Sequence, residues 1–217
     1  MRAALIAVSA LLLPAGAAAG TCPSAPHLAV VLDGPVIDRI GAAETREALA
    51  SALARTGPQS RVSLHPVGVA GNDLSWTLST RPSHAARERN VLATSFLFQI
   101  AVAPYAPDRN DRLEDVFANL SRSGGCPRII LLATDFPDTR EAGMVRDAAL
   151  DLSGSVVLAL LPEEAGASRA GTRWRRRVES GGGVWFAART PADIEAALGA
   201  AAIFPWREGD EAPTSHR

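Results

Sequence analysis

The sequence predicts an α/β protein, a three-layer sandwich in which a mostly parallel central sheet carries helices on both faces. Three observations predict it. Two unbroken apolar runs, His27-Leu28-Ala29-Val30-Val31-Leu32-Asp33 and Arg128-Ile129-Ile130-Leu131-Leu132-Ala133-Thr134-Asp135, have the length and branched residues of strands buried on both faces. Each ends in an aspartate. Between and after them, strand-like segments alternate with helical ones, which is the signature of parallel pairing through helical crossovers.

The elements follow in order. Residues 28–32 form the first strand. A helix is expected over 41–55, with Ala42, Leu49, Ala52 and Leu53 on one face and Thr56-Gly57-Pro58 as its stop. Residues 61–69 form the second strand, and 74–78 a short edge strand bounded by Gly71-Asn72 and Arg81-Pro82. A long helix covers 83–103. Its second half is apolar almost all round and is expected to be well buried. Residues 109–121 give a clear amphipathic helix, with Leu113, Val116, Phe117 and Leu120 at helical spacing before Gly124-Gly125. The strand at 129–133 follows. Then come a helix at 139–152, a buried strand at 155–161, a helix at 169–180 and a strand at 183–187. Thr190-Pro191-Ala192-Asp193 opens a last helix, ending near 202, with a cap, a proline in the first turn and a carboxylate. The strands that carry Asp33 and Asp135 are expected side by side at the centre.

Residues 1–20 read as a secretory signal peptide. Arg2 gives a positive start, Ala3 to Leu13 an apolar run, Pro14 and Gly16 a break, and Ala17-Ala18-Ala19 a cleavage site. A lipid anchor on Cys22 is a weaker alternative. Residues 21–204 are one domain, and 205–217 a polar, flexible tail. No later stretch is apolar for long enough to span a membrane, so the mature chain is expected to be periplasmic or secreted, without a membrane span. In that setting the two cysteines, Cys22 and Cys126, are expected to pair: each precedes one of the two apolar strands, at the end opposite the aspartates.

The formal net charge is −1, which predicts no nucleic-acid partner. All 22 basic residues are arginine, and lysine is absent. A lysine-bearing phosphate loop is therefore excluded. There is no Gly-x-Ser-x-Gly elbow, no His-Glu-x-x-His and no Cys-x-x-Cys. His27, His65, His84 and His216 are scattered and read as surface or boundary residues. Arg173-Trp174-Arg175-Arg176-Arg177 is the densest basic cluster, read as a solvated helix face with Trp174 half-buried; docking of an acidic partner is the alternative.

Three pieces together resemble a von Willebrand factor A-type domain over roughly 27–202. They are the opening strand ending at Asp33, the central strand closing on Thr134-Asp135, and Gly181-Gly182-Gly183-Val184-Trp185-Phe186 followed by Pro191-Ala192-Asp193-Ile194. The resemblance implies a Rossmann-like sandwich, a non-enzymatic protein-binding or scaffold role, and binding at the C-terminal rim of the sheet. It also implies a metal-ion-dependent adhesion site: Asp-x-Ser-x-Ser after the first strand, a Thr before a later helix and an Asp after the central strand, holding a hard cation such as Mg²⁺.

The sequence departs from that site. The serine slots hold Pro35 and Ile37, and the threonine slot falls near Asn110-Asp111. The expectation is therefore no resident cofactor, with Asp33 and Asp135 serving as helix-capping or turn-forming groups. The alternative is Mg²⁺ on Asp33, Asp135 and Asp111. The partner, a protein of the cell envelope, is expected to meet the rim at Pro35, Asp38, Asp108, Asn110, Phe136 and Asp138. A second functional reading makes Asp33 the nucleophile of an Mg²⁺-dependent phosphoryl-transfer enzyme. It lacks both the second carboxylate, since position 35 is proline, and the lysine.

Overall fold

A computed structural model describes residues 27–67, 73–102, 109–122, 128–136, 149–162 and 168–200. It contains a six-stranded sheet in the order β3-β2-β1-β4-β5-β6. The strands are β1 (His27–Asp33), β2 (Arg61–Val67), β3 (Leu74–Thr77), β4 (Arg128–Ala133), β5 (Ser155–Leu160) and β6 (Val184–Ala188). All pair in parallel except β3, which joins β2 antiparallel at one edge. The central pairing is β1 with β4, in the register Leu28↔Ile129 and Leu32↔Ala133, so both strands end at the same rim.

The helices are α1 (Gly34–Ile40), α2 (Ala42–Ala54), α3 (Pro82–Val102), α4 (Arg109–Ser121), α5 (Arg169–Ser180) and α6 (Pro191–Ala200). Strand alternation assigns them to two layers. Leu28, Val30, Leu32, Leu131 and Leu158 face α2, α3 and α6. Ala29, Val31, Ile130, Leu132 and Val157 face α4 and α5. Because both faces are covered, β1, β4 and β5 carry apolar side chains at nearly every position. Among the described residues no helix is long and apolar enough to cross a membrane.

The structure corrects several expectations. The chain leaving β1 does not loop to a single helix; it turns at once into α1, then breaks and starts α2. Gly41 makes the break. Its φ of +107° suits glycine, and an added Cβ would lie 2.1 Å from Glu44 Oε2. The second half of α3 is not buried all round, since Val91 and Phe98 are each 63% exposed. Only one side of that helix meets α2 and the sheet, and the apolar composition of its outer side therefore faces solvent. The expected helix at 139–152 lies mostly outside the described residues, and its last stretch, 149–152, is irregular. The expected ends of β2 at 69 and of α6 near 202 also fall outside them.

Candidate functional site

The rim begins at Asp33, whose side chain is fully buried at the tip of β1. It occupies the N-cap position of α1 but accepts no capping hydrogen bond. The expectation of a capping aspartate is thus corrected. Caps accept from the second or third backbone N–H of the helix, and Pro35 at the second position removes one of those two donors. The carboxylate turns inward instead, where Thr134 Oγ1 at the end of β4 lies 3.5 Å from Asp33 Oδ2.

The loop after β4 is held by burial of its own residues. Phe136 N–H donates to Thr134 Oγ1 at 3.2 Å, and Thr134 is fully buried. Phe136 has a φ of +51°, a conformation costing on the order of 1 kcal/mol or more for a bulky residue. Its ring offsets that cost by packing between Trp174, 6.4 Å away, and Trp185, 6.1 Å away. At 3% exposure Phe136 is core, so the reading that placed it on the partner-binding rim is corrected. Alternation along an apolar loop start hid this, because the aromatic partners come from α5 and β6.

With Phe136 pinned inward, Asp135 points to the rim and forms an ion pair with Arg39 of α1. The Arg39 Nε–H also donates to the Pro35 carbonyl at 3.3 Å. Half of the Arg39 side chain remains exposed, against 20% of Asp135. Arg39 was not anticipated from sequence. Its one signal is a position four residues after Pro35, which on a helix puts it above that carbonyl.

A groove of about 530 Å³ opens between α1, the first turns of α2 and the last turns of α3. Ile37, Leu97 and Ile100 form apolar wall, Phe98 an exposed lip, and Asp38 and Arg46 add one charge of each sign. Of the expected rim residues, Asp38 lines this groove and Pro35 does not. Asn110 and Asp111 lie in the first turn of α4. Asp108, Asp138, Cys22 and Cys126 lie outside the described residues. Among the described residues no three His, Cys, Asp or Glu side chains gather as metal ligands.

A second polar arrangement lies on the other face of β2. His27 Nε2 and His65 Nε2 each hydrogen-bond Ser63 Oγ at 2.8 Å, and His65 Nδ1 is 3.1 Å from Asp73 Oδ2. The reading of these histidines as scattered is corrected, and His65 is buried, while His27 does lie at the boundary, partly exposed. Ser63 and His65 are two apart on one strand and so share a face, and β1–β2 pairing brings His27 to it. Burial, then the charges of Arg61, Arg128 and His65, push the His27 imidazole down to about 3. Ser63 is 1% exposed and His65 8%, so the middle of the chain Asp73–His65–Ser63–His27 is buried, with Asp73 exposed at one end and His27 partly exposed at the other.

The basic cluster on α5 is largely engaged. Trp174 is buried rather than half-buried, 4.9 Å from Phe117. Arg177 lies over the Trp174 ring and pairs with Glu114, and Arg175 pairs with Glu179 at 2.8 Å.

Comparison with solved structures finds similarity to a von Willebrand factor type A protein from Catenulispora acidiphila. Identity is 10% and the TM-score 0.48, over 82% of this chain and 42% of that one. A pilus adhesin, SpaC from Lactobacillus rhamnosus GG, is similar at 14% identity and a TM-score of 0.37, over 81% of this chain and 30% of that one. The chain spans less than half the length of these solved chains. No protein-family model and no curated protein matches the sequence.

Proposed function

We propose that this chain is an exported, non-enzymatic protein-binding or scaffold module of the von Willebrand A type, binding a cell-envelope protein through the C-terminal rim of its sheet. The groove at that rim carries the reading. It is mostly apolar, it begins at Gly34 directly after β1, and its lip is a phenylalanine left 63% exposed. Large exposed aromatics beside charged groups are the anchor chemistry of protein interfaces. The full burial of Asp33 supports this reading over phosphoryl transfer, because a nucleophile must reach its substrate. Export rests on the leader-like sequence of residues 1–20, and the cell-envelope partner on export.

The test is site-specific photocrosslinking from Ala43 on the groove wall in the native envelope, in the parent and in Phe98→Asp. A discrete adduct that disappears in Phe98→Asp, with thermal stability unchanged, is the expected result. An adduct equally strong in both, or none from any groove position, would refute binding at this rim.

A further inference from the structure

We infer that Arg39 is a built-in cation that takes the place of a metal ion at the rim, so that this site is closed to divalent cations. Three observations carry this. First, the oxygen donors are too few: at positions 35 and 37 after Asp33, Pro35 has no side-chain oxygen, and Ile37 is hydrocarbon, buried in the core and lining the groove. A small hard cation needs six oxygens around it and binds weakly where the protein supplies few. Second, the rim aspartate of β4 is already neutralised, by the Arg39 guanidinium. A guanidinium matches a carboxylate in shape and charge. Third, the guanidinium is held in place, because its Nε–H is bonded to the Pro35 carbonyl of its own helix. It also stands in the last turn of α1, where the helix dipole favours positive charge. A cation arriving at Asp135 would have to displace this group and would meet its charge at close range.

The consequence for binding rests on the rim reading above: engagement of the partner then needs no metal. The charge arrangement itself does not depend on that reading.

Mn²⁺ binding, followed by its electron paramagnetic resonance signal and by calorimetry, tests the inference on the full chain. The parent is expected to show no specific Mn²⁺ site. Arg39→Gln keeps a helix-compatible side chain and removes the charge, and it is expected to bind Mn²⁺ roughly tenfold or more tightly than the parent. Arg39→Gln/Asp135→Asn is expected to lose that gain. Thermal melts of all three establish that they are folded. Specific Mn²⁺ binding by the parent that Asp135→Asn abolishes would overturn the inference. So would Arg39→Gln binding no better than the parent, or a gain that survives Asp135→Asn. Adduct formation from Ala43 in the presence of EDTA reads the partner separately. An adduct that requires divalent metal overturns the inference, whereas an adduct insensitive to Phe98→Asp refutes the rim reading and leaves the Mn²⁺ result standing.

Discussion

Lowering the pH from 7 to 5 should destabilise this protein by about 2 kcal/mol through His27 alone. The imidazole is held at about 3 in the fold, mainly by burial and then by the positive charges of Arg61 and Arg128. In the unfolded chain it titrates near 6.5. The folded value is the lower one, so below pH 6.5 the unfolded chain binds a proton that the folded chain refuses. Stability is then complete above about 6.5 and falls as the pH drops, by about 1.4 kcal/mol per unit once well below it. The loss levels off only near the folded value. The drop between pH 7 and pH 5 is nearly the same for any folded value below about 4, because the unfolded chain does almost all the titrating in that interval. Urea unfolding at pH 7, 6 and 5 measures it, with His27→Gln as the comparison. Glutamine retains a group that bonds Ser63 Oγ but has no titration. The parent should lose about 2 kcal/mol more than His27→Gln over the interval. Equal pH slopes in the two proteins, or an imidazole of His27 that titrates above pH 5 by NMR, would refute the argument.

Other outcomes follow from the same structure. Thr190 and Asp193 cap α6 reciprocally, Asp193 Oδ2 accepting the Thr190 N–H at 2.9 Å and Thr190 Oγ1 accepting the Asp193 N–H at 3.3 Å. Thr190→Ala should therefore cost about 1 kcal/mol in chemical denaturation. Phe136→Ala removes the ring that Trp174 and Trp185 enclose and should cost about 3 kcal/mol, seen also as a shift in tryptophan fluorescence; Phe136→Gly relieves the positive φ but leaves the same void. Mass spectrometry of exported material without reductant should show Cys22 and Cys126 joined in one crosslinked peptide; two alkylatable thiols would exclude the pairing.

What the sequence made legible, and what it hid, divides by the range of the interactions. The apolar runs at β1, β4 and β5, the face of α4 and the opening of α6 were readable because strand burial, helical period and capping are local patterns. Their central adjacency was readable because alternating strands and helices admit few layouts. The rest depends on contacts between distant segments. Whether the outer side of α3 is covered depends on what packs there, and composition alone misjudged Val91 and Phe98. Phe136 is buried by residues 38 and 49 positions later. The His27–Ser63–His65 connection needs β1–β2 register before it exists at all.

The candidate site shows the same division within a few residues. Pro35 and Ile37 could be read as missing oxygen ligands, a purely negative observation. In the fold they have a positive effect as well. Proline in a first helical turn and a buried isoleucine one turn from the sheet favour helix where a ligand loop would otherwise run. That helix sets Arg39 one turn beyond Pro35, so the Pro35 carbonyl can fix the guanidinium as it reaches Asp135, 96 residues further along the chain. The residues that remove oxygens from the rim are therefore the residues that build the helix delivering its positive charge. The carbonyl that fixes Arg39 belongs to the backbone, which serine keeps, so Ser at 35 and 37 with Arg39 intact should leave Asp135 paired and the rim still closed to Mn²⁺. The triple change that also replaces Arg39 with Gln should open it. Mn²⁺ binding by the double serine variant with Arg39 intact would show that the arginine does not close the site.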